Sequence, residues 1–425
     1  MPSTCCVVGA GPAGMVLGLL LARCGVEVTV LEKHADFLRD FRGDTVHAST
    51  LGLLDELGLG REFADLPARY LTSLDFALDS GTVAFADLSL LAGRHPHLAM
   101  VPQWDLLDLL ARAARAEPAF TLLTEAEVTG LRTDGSRVGG VSYVRHGSTH
   151  VLDADLVVAG DGRRSTVRRG AGLAYRRFGV PMDVLWFRVP RADSDPEGWF
   201  LRLGRRAVIA LIDRGDYFQV GYVIRKGSYA RLREQGLEAF RERLVAAVPW
   251  LGERADELGS WDDLSLLDVE LGRLRRWSGD GVLCIGDAAH VMSPVGGIGI
   301  NLAVQDAVAA ARLLAPALRR GRPTPTELRA VQRRRQWPTV LTQAAQRVAH
   351  RVLLSRAVSD RASARPGREG LPYARLALLG RLPVLQAASA RFVSLGVRPE
   401  HPPEAARRAP AAGSPAGVDN AALAG

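Results

Sequence analysis

With 425 residues, 47% of them apolar, the chain is long enough for two domains with separate cores, and its formal net charge is +8. The excess is arginine, since Lys33 and Lys226 are the only lysines, and it is spread along the chain with no basic stripe interleaved with aromatics, which argues against nucleic-acid recognition. Cys5, Cys6, Cys24 and Cys284 fall in or beside apolar elements without metal or redox spacing, no basic leader precedes the first apolar run, and no stretch approaches the ~20 uninterrupted apolar residues of a membrane span; a soluble cytoplasmic protein with no metal site and no integral membrane segment is expected.

Cys5–Val8 reads as a short buried strand that runs into Gly9-Ala10-Gly11-Pro12-Ala13-Gly14 and then a helix over Ala13–Arg23, in which Gly18 allows close packing on a sheet. Glu27–Leu31 alternates as a second strand and ends at Glu32, followed by Lys33. The glycines let backbone approach a pyrophosphate, and the acid 18 residues past Gly14 can take ribose hydroxyls. This fingerprint alone does not separate FAD from NAD.

Phe41-Arg42-Gly43-Asp44-Thr45-Val46-His47 leads into a helix over Ser49–Leu59, and His47 is a candidate to face a bound ring. Leu71–Leu90 alternates like strands around a turn at Asp79-Ser80-Gly81, a first excursion into a second domain. His95-Pro96-His97 resembles a metal pair only superficially, because proline intervenes and no third ligand is near. Gln103 stands just ahead of an amphipathic helix, Asp105–Ala116.

From Phe120 to Val158 the chain reads as a strand and a meander with turns at Asp134-Gly135 and His146-Gly147, ending in Leu156–Ala159 and Gly160-Asp161-Gly162-Arg163-Arg164-Ser165. Asp161 can accept from hydroxyls, while Arg163 and Arg168 can attract phosphate. Val184–Pro190, Ala207–Asp213 and Tyr217–Arg225 are further strands, expected to form a mixed sheet with Leu71–Leu90, and Gly236–Val248 reads as a helix. Arg188, Gln219 and Tyr222 are candidate substrate contacts on that sheet, although alternation puts Tyr222 on the face opposite Gln219.

Val282–Ile285 is a buried strand stopping at Gly286-Asp287, whose acid can again accept from sugar-like hydroxyls. Pro294, Gly296, Gly297 and Gly299 then form a stretch almost without side chains before a helix near Ile300 and Asn301, so bare N–H groups and a helix N-terminus can approach a flat ring that turns anionic on reduction. Glu327–Leu354 is expected to be an Arg-rich helix bent at Trp337-Pro338, Leu376–Leu395 a further helix, and Val397–Gly425 disordered.

The three signatures, in this order over about 300 residues, resemble those of the class A, single-component FAD-dependent aromatic hydroxylases with the p-hydroxybenzoate hydroxylase-like fold. The resemblance implies an α/β chain with a Rossmann-like, glutathione-reductase-type FAD-binding domain (1–70, 98–175 and 265–355), an inserted mixed-sheet substrate domain (71–97 and 176–264), C-terminal helices (356–396) and a tail (397–425). It implies that Arg42 lies beside the flavin pyrophosphate, that Gln103 bonds the ribityl chain or phosphate, and that the Asp161 segment joins flavin binding to passage of the pyridine nucleotide. It also implies that Gly9, Gly11, Ala13, Gly14, Glu32, Lys33, Asp161, Gly286, Asp287, Pro294, Gly297, Gly299, Ile300 and Asn301 surround FAD, with Pro294, Gly296, Gly297 and His47 nearest the chemistry.

NADPH or NADH would reduce the FAD, O2 would form a C4a-hydroperoxide, and an aromatic or quinone-like substrate would take the oxygen. Only one glycine fingerprint is present, so the nucleotide would visit the FAD domain transiently. The alternatives are an FAD-dependent oxidase or reductase acting on an isoprenoid or polyketide, and a non-catalytic flavin-binding protein. Oxygen consumption with a prenyl substrate separates the first, and NAD(P)H-dependent bleaching of the flavin separates the second.

Overall fold

The computed structural model describes residues 4–38, 45–78, 81–196, 198–204, 207–357 and 382–409. Arg42, the Asp79-Ser80 part of the expected turn and the first residues of the expected Leu376–Leu395 helix lie outside these.

Two sheets organise the described chain. The first has six strands in the order 278–279, 282–284, 156–159, 4–8, 27–31 and 120–123, parallel except at the 278–279 edge. Its central strands are unbroken apolar runs because both faces are covered, one by the helical layer and the other by the 127–153 meander, whose Val138, Val141 and Tyr143 join the same core. Helix Pro12–Arg23 starts with proline in its first turn and packs so closely on the sheet that a Cβ on Gly18 would stand 2.8 Å from the Phe120 ring and 2.9 Å from a Val30 methyl. An alanine there overpacks the layer at a cost of about 1–3 kcal/mol. Helix Gly299–Arg320 lies against the same layer; it is long and apolar enough to span a membrane by composition, yet 78% of its most apolar window is buried within the protein, which makes it a core helix.

The second sheet has seven strands in the order 265–267, 182–190, 217–225, 208–213, 199–203, 73–78 and 81–87. All pairs are antiparallel except 199–203 with 73–78. Alternation divides it cleanly: Leu185, Phe187, Phe218, Val220 and Tyr222 face the helical layer around Phe240, while Val184, Val223 and Leu203 face Val295 of the glycine-rich loop.

The meander turns at Gly135 and Gly147 are where expected, both at positive φ, 58° and 77°. Three features differ from the sequence expectations. Trp199–Leu203 is a strand that its neighbours Gly198 and Arg202 obscured. Ser265–Leu267 extends the second sheet by pairing with Val184–Trp186, and only Leu271–Leu274 leaves it, to pair with Tyr175–Phe178. Residues 397–409, expected to be disordered, are fixed by salt bridges and burial: Glu400 is 3% exposed and Ala406 fully buried. Helix Pro325–Ala357 runs through Pro338.

Candidate cofactor and substrate site

Three turns meet at the carboxyl ends of the parallel strands. In the first, Gly9 has φ +96° and its missing Cβ leaves room for the Gly160 carbonyl, 2.6 Å from where that atom would be. A Cβ on Gly14 would stand 1.9 Å from the Gly9 carbonyl oxygen, so only glycine lets the helix begin on top of the turn. Gly11 differs: nothing lies within 4 Å of its Cβ position. The first and third glycines serve packing, and the middle one borders open space that a pyrophosphate can enter at a helix N-terminus. Gly286, at φ +55°, brings Ala13 and Ala303 together, with its Cβ position 3.4 and 3.1 Å from their methyls, so the first turns of two helices converge here.

The carboxylates around this point are unevenly used. Glu32, buried at the end of its strand, accepts from the backbone N–H of Ala10 at 2.9 Å and of His34 at 3.1 Å, one through each oxygen. Asp161 spends Oδ2 on the N–H groups of Thr166 and Val167, at 2.8 and 3.3 Å, and so caps the short helix Thr166–Gly170, while its buried Oδ1 has no partner. Burial pushes its carboxyl up despite those donors. Asp287 accepts no hydrogen bond from any described residue; burial pushes its carboxyl up as well, against the pull of Arg163, His290 and Arg168. The buried Asp161 Oδ1, an acceptor without a donor, costs about 1–3 kcal/mol unless a ligand supplies one, whereas Asp287 is only partly buried.

Pro294–Gly299 forms the third turn. Gly296 and Gly297 have φ of +83° and +61°, Gly297 N–H donates to the Pro294 carbonyl at 3.0 Å, and the helix begins at Gly299. Asn301 is buried: its Oδ1 accepts from Ser49 at 2.7 Å and Thr50 at 3.0 Å, and its amide nitrogen has no partner. Gln103 opens its helix at the partly exposed first position, Ile300 is partly buried, and Lys33 is exposed.

Two sequence candidates change role. His47 is fully buried, with Nδ1 2.8 Å from the Val393 carbonyl and Nε2 3.1 Å from the Gly297 carbonyl. Burial holds its pKa low against those two carbonyls. Both ring nitrogens lie against backbone carbonyls, and the neutral ring donates to one of the two, so His47 is enclosed between the loop and the Val393 segment and does not face a substrate. Tyr222 packs edge-on against Phe240 in the cluster on the far face of the second sheet, which removes it from the substrate candidates.

Arg188 and Gln219 remain on the face toward the loop. They line a cavity of about 390 Å³ at the edge of the sheet, bordered by Trp186 and Leu267 and, from the helical side, by Phe187, Glu257, Leu258 and Asp263, and Arg188 lies 4.9 Å above the Tyr217 ring. Gln219 is buried, its Oε1 accepting from Arg214 at 2.7 Å. Sequence reasoning missed Trp186. Its indole lies across Gly221 on the paired strand, 3.0 Å from that residue's absent Cβ, and it joins the cluster that Val295 completes. The available signal was the register that sets a bulky aromatic opposite a strand glycine.

Also missed was a buried line of charge. His290 Nε2 meets Asp306 Oδ2 at 2.5 Å, Gly286 N–H donates to the same oxygen at 3.2 Å, and Arg335 Nε donates to Asp306 Oδ1 at 3.1 Å. Burial pushes the Asp306 carboxyl up, but His290 and Arg335 outweigh it and hold the group below the usual carboxylate range.

Comparison with known proteins bears on this arrangement. Residues 3–345 match the family model described as FAD binding domain. The chain is 38% identical over 352 residues to the 6-methylpretetramide 4-monooxygenase of Streptomyces rimosus, covering 82% of this chain and 84% of that one. It is 28% identical over 337 residues to the para-nitrophenol 4-monooxygenase of Pseudomonas sp. strain WBC-3, covering 75% and 79%. Among solved structures, the anhydrotetracycline hydroxylase of Streptomyces rimosus superimposes with a TM-score of 0.73 at 26% identity, over 96% of this chain and 80% of that one.

Proposed function

Because the chain belongs to the FAD binding domain family, that of the single-component flavin-dependent aromatic hydroxylases, we propose that the three turns hold FAD and that the Trp186 face of the second sheet holds its substrate. The protein is an FAD-dependent monooxygenase that uses NAD(P)H and O2 on aromatic compounds. FAD held there would supply the redox chemistry: two electrons taken from NAD(P)H, with one atom of O2 going to an electron-rich ring and the other to water.

The observation that carries the placement is the set of ligandless features in one spot: open space at Gly11, an unpartnered Asp161 oxygen and an Asp287 carboxylate without a donor. Glu32 takes the adenosine ribose, the Gly11 backbone takes the pyrophosphate, and Asp287 takes a ribityl hydroxyl. Gly297, Gly299 and Ile300 present backbone to the ring, with the following helix N-terminus stabilising negative charge there. Asn301 holds that helix against Ser49 and Thr50, and Arg42 and Gln103 complete the phosphate side. In this reading the chain has a Rossmann-like FAD domain into which the sheet of 71–97 and 176–267 is inserted, and it works in the cytoplasm.

On the substrate side, Trp186 is the flat surface on which an aromatic ring rests. The cavity beside it exceeds the volume of a single ring, and the 38%-identical relative is named for a pretetramide substrate, so a fused polycyclic phenol or quinone fits best. Apolar Val184, Val223 and Leu203 around Val295 keep water from the reacting atoms.

The test is NAD(P)H-driven bleaching of the bound flavin with a panel of simple phenols, naphthoquinones and polycyclic aromatic polyketides. Acceleration by the polycyclic members is expected. Bleaching that no aromatic compound accelerates, in a yellow and folded protein, contradicts the reading.

A further inference from the structure

The described C-terminal arm, residues 382–409, lies beyond the stretch that matches the family model, which ends at 345. It reaches the cofactor turns by two independent routes. The first is direct. Helix Pro383–Ser394 places Phe392 against Met292, Ile298 and Leu302, at the end of the glycine-rich loop, and the Val393 carbonyl meets the His47 ring whose other nitrogen meets the Gly297 carbonyl. Ser49 Oγ bridges the Ser394 carbonyl at 3.2 Å and Asn301 Oδ1 at 2.7 Å.

The second route is electrostatic. Glu400 is buried and meets three guanidinium groups, Arg312 at 2.8 Å, Arg334 at 2.5 Å and Arg335 at 3.4 Å. Arg335 continues to Asp306, which accepts the N–H of Gly286 in the Gly286-Asp287 turn. Gln305, on the same helix as Asp306, accepts the backbone N–H of Glu400 at 2.5 Å. A buried carboxylate among three arginines is held by its partners, and removing it leaves unpaired charge along the whole line.

We propose that the C-terminal arm is a working part of the cofactor site: Phe392 packs directly on the Pro294–Asn301 loop, Val393 backs the His47 ring that lies against the same loop, and Glu400 is a positioning residue that holds the Gly286-Asp287 turn through Arg335 and Asp306. A bare staple would stabilise the fold and leave cofactor affinity alone. The arm instead fixes the backbone of two turns that we assign to FAD, so its anchoring sets FAD affinity and the coupling of NAD(P)H oxidation to hydroxylation. The inference rests on that placement of FAD.

The experiment uses full-length Glu400→Ala, Glu400→Gln, Glu400→Asp and Gln305→Ala. FAD affinity is measured well below each melting temperature, together with the visible spectrum of the bound flavin, the peroxide-to-product ratio, and trypsin cleavage at Arg391 and Arg407 as a report of arm release. Variants with a released arm should bind FAD at least tenfold more weakly, show an altered flavin spectrum and shift turnover toward peroxide, with Glu400→Asp closest to wild type. Should Glu400→Ala fail to fold, Glu400→Gln and Gln305→Ala carry the same measurement. A released arm with wild-type FAD affinity and spectrum overturns the proposal, as does an arm that stays protected in all four variants. If Asp287→Ala also leaves FAD affinity unchanged, the placement of FAD has failed and not the role of the arm.

Discussion

In the proposed site the two sheets build their halves from different material. At the ends of the parallel strands the contacts come from backbone, and glycine is required there for stated reasons: Gly9 and Gly14 by close approach, Gly296 and Gly297 by positive φ. On the seven-stranded sheet the contacts come from side chains, Trp186, Arg188 and Gln219, whose directions follow from strand register. A backbone-made half tolerates little change and recognises what all members of a family share. A side-chain-made half can be altered residue by residue without endangering the fold, which is where substrate choice can vary.

The largest expected effect is on the backbone half. Gly14→Ala puts a methyl 1.9 Å from the Gly9 carbonyl oxygen and should cost about 3 kcal/mol or more of stability, with loss of bound FAD. Gly11→Ala is its counterpart. Gly11 has φ −72°, compatible with any residue, and open space beside it, so the apoprotein should melt like wild type while FAD binds more weakly. Melting curves and flavin content per chain decide both, and equal stability losses would mean that the turn makes no distinction between packing and ligand space.

Next in size, Asp287→Ala removes a charge-assisted acceptor and should weaken FAD binding by about 1.5–3 kcal/mol, measured by fluorescence quenching on titration. On the other half, Trp186→Ala should raise the KM for a polycyclic substrate by about tenfold, corresponding to roughly 1.4 kcal/mol, and leave FAD affinity unchanged. A loss of FAD in that variant would show that the halves are not separable.

The smallest effect concerns the seam between them. His97 precedes the strand Leu98–Met100, packs edge-on to Tyr70 at 4.8 Å and sits 5.5 Å from His95, which bonds Asp55 at 2.8 Å. Burial, aided by His95, pushes its pKa down to about 4. The unfolded chain therefore binds a proton between the ordinary histidine pKa and that value while the folded chain does not, and stability falls as pH falls through this window. By pH 5.5 the loss attributable to His97 is about 1 kcal/mol, and His97→Gln should flatten that part of a plot of melting temperature against pH.

Legibility in the sequence followed the same division. The glycine turns, the three acids Glu32, Asp161 and Asp287 and the strands leading to them could be read because each needs a particular residue at a particular chain distance. Alternation alone separated Tyr222 from Gln219, but which of the two faces looks toward the loop depends on how the sheet packs, so Tyr222 stayed among the substrate candidates until the fold placed it against Phe240. Trp186 over Gly221 could not be read, because it depends on which strands pair and in what register. The partners of His47 and Asp306 were hidden for a related reason: they come from residues 346 and 29 positions away, Val393 and Arg335, and nothing local announces them. Within the arm the helix was read, but residues 397–409 were misjudged because their Pro and Ala composition suggests disorder, whereas their order comes from Glu400 and from the surface that receives it.

The most direct measurement is the fate of oxygen from isotopically labelled O2 during NAD(P)H oxidation with a polycyclic phenol. The account predicts one labelled atom in the hydroxylated product for each NAD(P)H consumed. Label found only in water or peroxide, with a substrate that still stimulates flavin reduction, would contradict it.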